Sequence, residues 1–194
     1  MARGHCETAF ALAAQQDGVE LTRARVPWLN QRGHFGLPEQ ASPAVAAMRA
    51  IFEALGGIEW EMAGKRMTAL PGDFVHLETG VYVEVDESQH FTSFRLVTLN
   101  LYPETTPLGF DLPEYKRLCQ QLAPRSDRYR RDKPAVGFGP GGRQRQRAYN
   151  DALRDLMTPA MGYAPVIRVA APDGDGVTAY VSVRTRLRAA TGIA

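Results

Sequence analysis

The fold is decided by residues 71–91, which read PGDFVHLETGVYVEVDESQHF. Over 73–78 and 81–86, β-branched and aromatic residues alternate with polar ones, a pattern typical of strands. Thr79 and Gly80 separate the two runs, and a two-residue turn that contains glycine favours a β-hairpin. This stretch therefore predicts two antiparallel strands that carry several acids.

The turn also predicts which side chains share a face. With a two-residue turn, Asp73 lies opposite Asp86, and Glu84 is then opposed by a valine. Opposed residues share a face, as do residues two apart on one strand, so Asp73, Glu84 and Asp86 project to one side. The other side is apolar and is expected to meet the core through Phe74, Val81, Val83 and Val85.

A shared cation explains why three acids would meet. Directly opposed like charges are destabilising unless something compensates them. Mg²⁺ or Mn²⁺ can compensate them, because hard divalent cations bind carboxylates together with water and phosphate oxygens. Asp73, Glu84 and Asp86 are therefore the predicted metal ligands. The alternative is a solvated acidic end of the hairpin, which is common for surface acids.

Length and composition predict one globular domain, 1–194, with 44% hydrophobic and 23% charged residues. No apolar run is long enough for a bilayer, which predicts no membrane partner. Residues 8–14 are apolar but lack the pattern of a cleaved leader, so the expected location is cytoplasmic. Cys6 and Cys119 lack the spacing of zinc ligands and are predicted to be reduced, buried thiols.

Hydrophobic periodicity and turn residues predict helices and strands in mixed order around the hairpin. Helices are expected over 5–16, 42–55, 93–101, 114–122 and 143–157. Further strands are expected over 58–62, 165–170 and 177–183. Residues 17–41 are rich in glycine and proline, which predicts mostly irregular chain. The pattern as a whole indicates a mixed α and β fold.

The motif around the hairpin resembles the core motif of the PD-(D/E)XK nuclease superfamily. Asp73 follows Pro71-Gly72, Glu84 comes eleven residues later in the run Glu84-Val85-Asp86, and His90 follows soon after. This arrangement is most similar to the subgroup whose third strand reads E-x-D with a nearby histidine, which includes relatives of very-short-patch-repair endonucleases. The similarity covers about residues 42–170, with a basic insertion at about 103–142.

The resemblance implies an α/β (α+β) fold with a restriction-endonuclease-like core. In that core a central mixed β-sheet is flanked by helices, and the elements follow the order αβββαβ. The implied activity is that of an endonuclease, the Mg²⁺-dependent hydrolysis of phosphodiester bonds in nucleic acid. Asp73 is implied to be the first acid, on the second core strand, and Glu84 the second, on the third strand. DNA is the expected partner, and a homodimer is compatible with the sequence.

One position departs from the family pattern, in which a lysine follows two residues after the second acid. Asp86 stands there and is implied to be a third metal ligand, as in the E-x-D subgroup. His90 is then the candidate proton acceptor, because imidazole titrates near neutrality. Lys133 or Arg95 is the candidate source of the missing positive charge. The implied catalytic set is completed by Gln89, which could orient a ligand, and by Glu53, which stands in place of the family's helix glutamate.

Basic residues are unevenly distributed along the chain. Arginine outnumbers lysine by 20 to 3, and nine basic side chains lie between Arg125 and Arg154. Arginine suits phosphate recognition because its planar fork donates two hydrogen bonds at once. The candidate nucleic-acid contacts are Arg95, Arg128, Arg130, Arg131, Lys133, Arg143, Arg145 and Arg147. The alternative for these residues is a solvated helix and loop surface.

The missing lysine leaves a second function open. The chain could be a catalytically inactive nuclease fold that serves as a nucleic-acid-binding or protein-interaction module, since a fold does not guarantee a function. A third alternative is a structural protein that binds no metal. Measurements of metal binding and of nucleic-acid binding separate the three.

Overall fold

A computed structural model of the chain describes residues 4–193, apart from the side chain of Pro27. The helices are α1 (His5–Gln16), α2 (Ser42–Ala54), α3 (Glu59–Ala63), α4 (Ser93–Asn100), α5 (Leu112–Ser126), α6 (Arg143–Ala160) and α7 (Gly176–Thr191). The strands are β1 (Thr22–Asn30), β2 (Ala69–His76), β3 (Val81–Glu87) and β4 (Ile167–Ala171). None of the helices in this range is long and apolar enough to cross a membrane.

The strands form one mixed sheet in the order β1-β2-β3-β4. β1 and β3 run antiparallel to β2, and β4 runs parallel to β3. Helices α1 and α7 pack on the face of the sheet that carries Phe74 and Val83. Helices α2, α4, α5 and α6 enclose a larger core on the other side, around Phe52 and Tyr149. The prediction of a mixed sheet flanked by helices is confirmed.

The β2–β3 hairpin has a longer turn than the sequence predicts. His76 pairs with Val81, so residues 77–80 form a four-residue turn. The carbonyl of His76 accepts the N–H of Gly80 (2.9 Å), and Gly80 has the positive φ that closes the turn. The prediction of a two-residue turn is therefore wrong.

A four-residue turn shifts the register by two residues and so leaves every side chain on its predicted face. Phe74 pairs with Val83, and the next step along the hairpin places Asp73 beside Glu84. The predicted pairing of Asp73 with Asp86 is wrong, because it assumed the shorter turn. The predicted apolar face is confirmed, since its members lie in one buried cluster: Phe74, Val81, Val83 and Val85.

Two predicted strands are helices. Residues 58–62 fall mainly in α3, and residues 177–183 lie in α7. Asp175 starts α7 by accepting two backbone N–H groups, the usual role of an N-cap. Val177 and Val181, whose branched side chains favoured a strand, lie on the exposed face of this helix.

One strand lies where irregular chain was predicted. β1 falls within residues 17–41, whose glycine and proline content indicated loops. It is an edge strand with two irregularities in its pairing with β2, and an edge position tolerates proline. Both α1 and β1 precede residue 42, and they contribute to the layers that enclose the sheet.

The two cysteines are free and buried, as predicted. Burial, followed by the charge of Glu87, raises the pKa of Cys6 to about 11, so its thiol stays protonated at neutral pH. Cys119 is buried between α5 and the core. Both side chains therefore act as small apolar groups.

Candidate functional site

Asp73 and Glu84 lie next to each other on β2 and β3. The N–H of Val85 donates to Asp73 Oδ2 (2.8 Å), and the N–H of Asp73 donates to Glu84 Oε1 (3.2 Å). The Asp73 side chain is 22% exposed, whereas Glu84 is buried. Burial, followed by the negative charge of Glu84, raises the pKa of Asp73 to about 8. The two carboxylates repel each other, and a cation that reached the partly exposed Asp73 could bind both.

Gly72 makes room for the carboxylate of Glu84. A Cβ atom at position 72 would lie 2.6 Å from Glu84 Oε1 and 3.1 Å from the Cβ of Ala24. A distance of 2.6 Å is shorter than a van der Waals contact, so a side chain here would displace the carboxylate. The close approach of Glu84 therefore explains why a glycine stands between Pro71 and Asp73 in this fold.

Arg154 of α6 supplies a positive charge beside the second acid. Its Nε lies 3.2 Å from Glu84 Oε1, although the N–H is not aimed at that oxygen. Its Nη2 donates to the carbonyl of Pro71. Burial raises the pKa of Glu84, and the charges of Arg154 and Arg168 oppose this shift only in part. The cation beside the second acid is thus Arg154, and not Lys133 or Arg95 as the sequence suggested.

Asp86, His90 and Asp151 form a second group of candidate ligands. His90 Nδ1 lies 3.2 Å from Asp86 Oδ1 and 2.9 Å from Asp151 Oδ2. The ligand atoms of the three residues all lie within 4.8 Å of one another, so this buried group could hold a metal ion. Asp86 also accepts from the Tyr115 hydroxyl (3.2 Å). Asp86 thus contacts His90, Tyr115 and Arg168, and not Asp73.

His90 is held by two carboxylates through one ring nitrogen. Burial of the ring opposes its charged form, but Asp151 and Asp86 outweigh burial and raise the pKa of His90. Burial alone would raise the pKa of Asp151, but the charges of His90 and Arg168 hold it well below its usual range. His90 Nε2 forms no hydrogen bond within residues 4–193, and the side chain is partly exposed. This nitrogen is free to exchange a proton.

Arg168 of β4 binds three carboxylates in the interior. Its Nη1 donates to both oxygens of Asp86 (2.9 Å each). Its Nε donates to Asp155 Oδ1 (2.6 Å), and its Nη2 lies 3.5 Å from Asp151 Oδ1. The guanidinium is fully buried, yet these three acids outweigh burial and raise its pKa well above the usual value. Ion pairs of Arg168 therefore connect β4 to β3 and α6.

Arg95 belongs to this interior network. Its Nη2 donates to Asp155 Oδ2 (2.7 Å), and its Nη1 donates to the hydroxyl of Tyr102 (2.7 Å). Arg95 is buried on α4, so its guanidinium cannot contact a nucleic acid. This corrects the prediction that Arg95 binds nucleic acid.

The other predicted nucleic-acid contacts divide by exposure. The side chains open to solvent are Arg128, Arg130, Arg131 and Lys133. Arg145 and Arg147 are half-buried and donate mainly to backbone carbonyls, including those of Phe138 (2.7 Å) and Gln89 (3.0 Å). Arg143 is half-buried and donates to Gln146. The exposed members of the predicted set therefore all lie between residues 128 and 133.

Gln89 and Glu53 lie apart from the acidic pair. Gln89 Nε2 donates to Glu87 Oε2 (2.6 Å). Glu53 is exposed on α2, and its side chain forms no hydrogen bond or ion pair within residues 4–193. The helix acid that does influence Asp73 is Glu7 of α1, which adds to the rise of its pKa. Arg23 lies between them, 3.0 Å from Glu7 Oε2 and 4.0 Å from Asp73 Oδ1.

Asp151, Arg154 and Arg168 were not predicted to be site residues. Arg168 could have been recognised from the sequence, because it interrupts an apolar strand. An arginine that is buried in such a strand needs buried acidic partners. The sequence indication for Asp151 and Asp155 was weaker. The two acids are four residues apart and lie on the face of α6 that is apolar at Ala148 and Ala152. Which acid meets which arginine depends on how α6 crosses the sheet.

Comparisons with known proteins give one match. A family of unknown function, DUF7255, matches residues 50–133, which is less than half of the chain. The matched stretch contains Asp73, Glu84, Asp86 and His90 but stops before Asp151, Arg154 and Arg168. No curated protein and no solved structure matches the chain.

We expect Arg168→Met to lower the free energy of unfolding by about 3–5 kcal/mol, because three buried carboxylates lose their shared cation. Urea unfolding followed by circular dichroism measures the change. Arg117→Met is the matched control, since Arg117 is exposed and pairs only along α5. If both variants were as stable as the wild type, the buried network would not hold α6 on the sheet.

Asp73→Asn should stabilise the metal-free protein at alkaline pH. A folded pKa of about 8, against a usual value of 3.8, means that the folded state keeps a proton that the unfolded chain releases. The stability that this proton contributes is present below pH 4 and is lost as the pH rises through 8. Asparagine does not titrate, so the variant avoids this loss.

In urea unfolding with EDTA, the stability difference between Asp73→Asn and wild type should grow from pH 5 to pH 8.5 and reach about 1–2 kcal/mol. Glu78→Gln, an exposed acid in the turn, should show no such trend. A difference that does not depend on pH would contradict the raised pKa of Asp73.

Proposed function

We propose that the chain is a metal-dependent phosphodiester hydrolase, an endonuclease that acts on nucleic acid. The proposal rests on the pairing of Asp73 with Glu84: the N–H of Asp73 donates to the Glu84 carboxylate, the charge of Glu84 adds to the raised pKa of Asp73, and the Asp73 side chain is partly exposed to solvent. Oxygen ligands of this kind suit Mg²⁺ or Mn²⁺.

Asp73 and Glu84 would hold the metal, which supplies polarisation of the phosphate and a nucleophile at neutral pH. Arg154 stands beside Glu84 and offers positive charge to the phosphate oxygens. Asp86 takes a different role from the predicted ligand: with Asp151 it fixes His90 through Nδ1. His90 Nε2 then exchanges a proton with the attacking water or the leaving oxygen.

The order of the elements supports this proposal. α1, β1, β2, β3, α6 and β4 follow the order αβββαβ, with α2 and α3 inserted after β1, and α4 and α5 inserted after β3. Asp73 lies on the second strand of that series and Glu84 on the third. These are the places where the resemblance puts the two acids.

The exposed basic residues 128–133 support a nucleic-acid substrate. The end of α5 is fixed to the loop that carries His90, because Ser126 Oγ donates to the carbonyl of Ser88 (2.6 Å). Arg147 joins the same two segments: it donates to the carbonyl of Gln89 and lies over the ring of Tyr129. A backbone bound along 128–133 would thus pass close to the candidate site, and DNA is the proposed partner.

A second candidate is a catalytically inactive module of the same fold. It is favoured by the cations that already meet the acids, since Arg154 contacts Glu84 and Arg168 contacts Asp86. In such a protein the basic surface would bind nucleic acid without cleavage. Metal binding by the Asp73–Glu84 pair separates the two candidates.

We expect calorimetry to detect Mn²⁺ binding to the wild type and to Glu78→Gln, but not to Asp73→Asn or Glu84→Gln. The same two site variants should lose Mg²⁺-dependent or Mn²⁺-dependent cleavage of DNA or RNA by at least about 100-fold, because a bound cation contributes several kcal/mol. Binding of nucleic acid in EDTA should weaken as salt rises. Cleavage that survives Asp73→Asn would contradict the proposal, and binding without any cleavage would favour the inactive module.

A further inference from the structure

Trp60 has the most exposed large apolar side chain within residues 4–193, at 77%. It lies on α3, the short helix that the sequence indicated to be a strand. Tryptophan is usually well buried, and it is enriched where one protein surface meets a ligand or partner. An exposed tryptophan on an ordered helix is therefore typical of a binding surface.

The ring forms one wall of an open groove of about 610 Å³. The opposite wall is the segment 134–140, whose members facing the groove are mostly apolar: Pro134, Ala135, Val136, Gly139 and Pro140. Val136 is itself 57% exposed. The groove therefore presents apolar side chains to solvent on both sides.

The two walls of the groove are fixed to each other. The N–H of Ile58 donates to the carbonyl of Gly137 (2.8 Å), and the N–H of Gly137 donates to Glu61 Oε2 (2.7 Å). Behind them, Met62 and Phe138 are buried in the main core. Trp60 is thus presented on a prearranged surface, which lowers the entropy cost of binding a ring against it.

Positive charge lies at one side of this groove, where residues 128–133 lead into its far wall. Lys65 lines it, and burial together with the charge of Arg143 lowers the pKa of Lys65. Lys133 immediately precedes the far wall, and the exposed cations between 128 and 133 outnumber the one acid there, Asp132. Glu61, the acid that lines the groove, is engaged by the N–H of Gly137. The surface therefore complements an anionic chain that also offers flat apolar rings.

Aromatic rings with a basic border are the elements from which sequence-tolerant single-strand binding sites are built. We infer that the Trp60 groove binds an unpaired base of single-stranded nucleic acid, which stacks on the indole while residues 128–133 contact its phosphates. The inference deepens the proposed function and rests on it, since it names single-stranded or locally unpaired nucleic acid as the substrate class.

The test uses fluorescence of Trp60 in EDTA, where no cleavage occurs. The chain has two tryptophans, so Trp28→Phe leaves Trp60 as the single reporter, and the difference between wild type and Trp60→Phe gives the same signal without a change at Trp28. Titration with an oligothymidylate of about ten nucleotides should quench this signal to saturation. The affinity of Trp60→Ala, which lacks the reporter, is measured by the fluorescence anisotropy of a labelled oligothymidylate, with wild type measured in the same way. It should be weaker by about 5-fold to 100-fold, because stacking contributes about 1–3 kcal/mol per base.

The control is Leu77→Ala, which removes a side chain of similar exposure (71%) from the β2–β3 turn and should leave affinity unchanged. The inference is overturned if Trp60 is not quenched, if Trp60→Ala binds as tightly as wild type, or if duplex DNA or an acidic peptide of equal charge quenches more strongly. The Asp73→Asn variant distinguishes a failure of the proposed hydrolase function from a failure of the inference about the Trp60 groove. Quenching that persists in this variant supports the groove independently of catalysis, whereas cleavage by wild type without quenching removes only the inference about the groove.

Discussion

Arg168 brings Asp86, Asp151 and Asp155 together in the interior, and the candidate site takes its shape from that contact. A buried charge is costly unless it is paired and hydrogen-bonded, so α6 must cross the sheet where its two acids meet the guanidinium. The same placement brings Asp151 to His90 and Arg154 to Glu84. One ion network in the core therefore positions two groups that face the site.

The charge balance differs between the interior and the acidic pair. In the interior each carboxylate of the network contacts a guanidinium or an imidazole, and Arg95 and Tyr102 complete the set around Asp155. Among residues 4–193, the nearest cation to Asp73 is more distant: Arg23 is 4.0 Å away and also contacts Glu7. Uncompensated charge at a solvent-accessible point is unfavourable for stability, and such points are often functional. This contrast distinguishes the acidic pair from the structural network.

The hairpin and its faces could be predicted from the sequence, but the register could not. Strand alternation fixes which side each residue faces, and a change of two residues in the turn leaves that result intact. The same change replaces Asp86 with Glu84 as the neighbour of Asp73. The length of the turn depended on a contact between His76 and Gly80, which no local propensity indicates.

Residues far apart in the sequence were harder to predict. Arg154 follows Glu84 by seventy positions, and only the packing of α6 brings the two together. Trp60 and its neighbours alternated like a strand, although the ring faces solvent on a helix. β1 was missed because an edge strand can carry proline and irregular pairing. In each case tertiary packing outweighed the local pattern.

Anomalous X-ray scattering from crystals soaked in Mn²⁺ tests most directly whether Asp73 and Glu84 hold a metal ion. We expect a peak at about 2.1–2.2 Å from carboxylate oxygens of both residues, as expected for a small octahedral cation. A peak between Asp86, His90 and Asp151 instead, or no peak at either place, would contradict it.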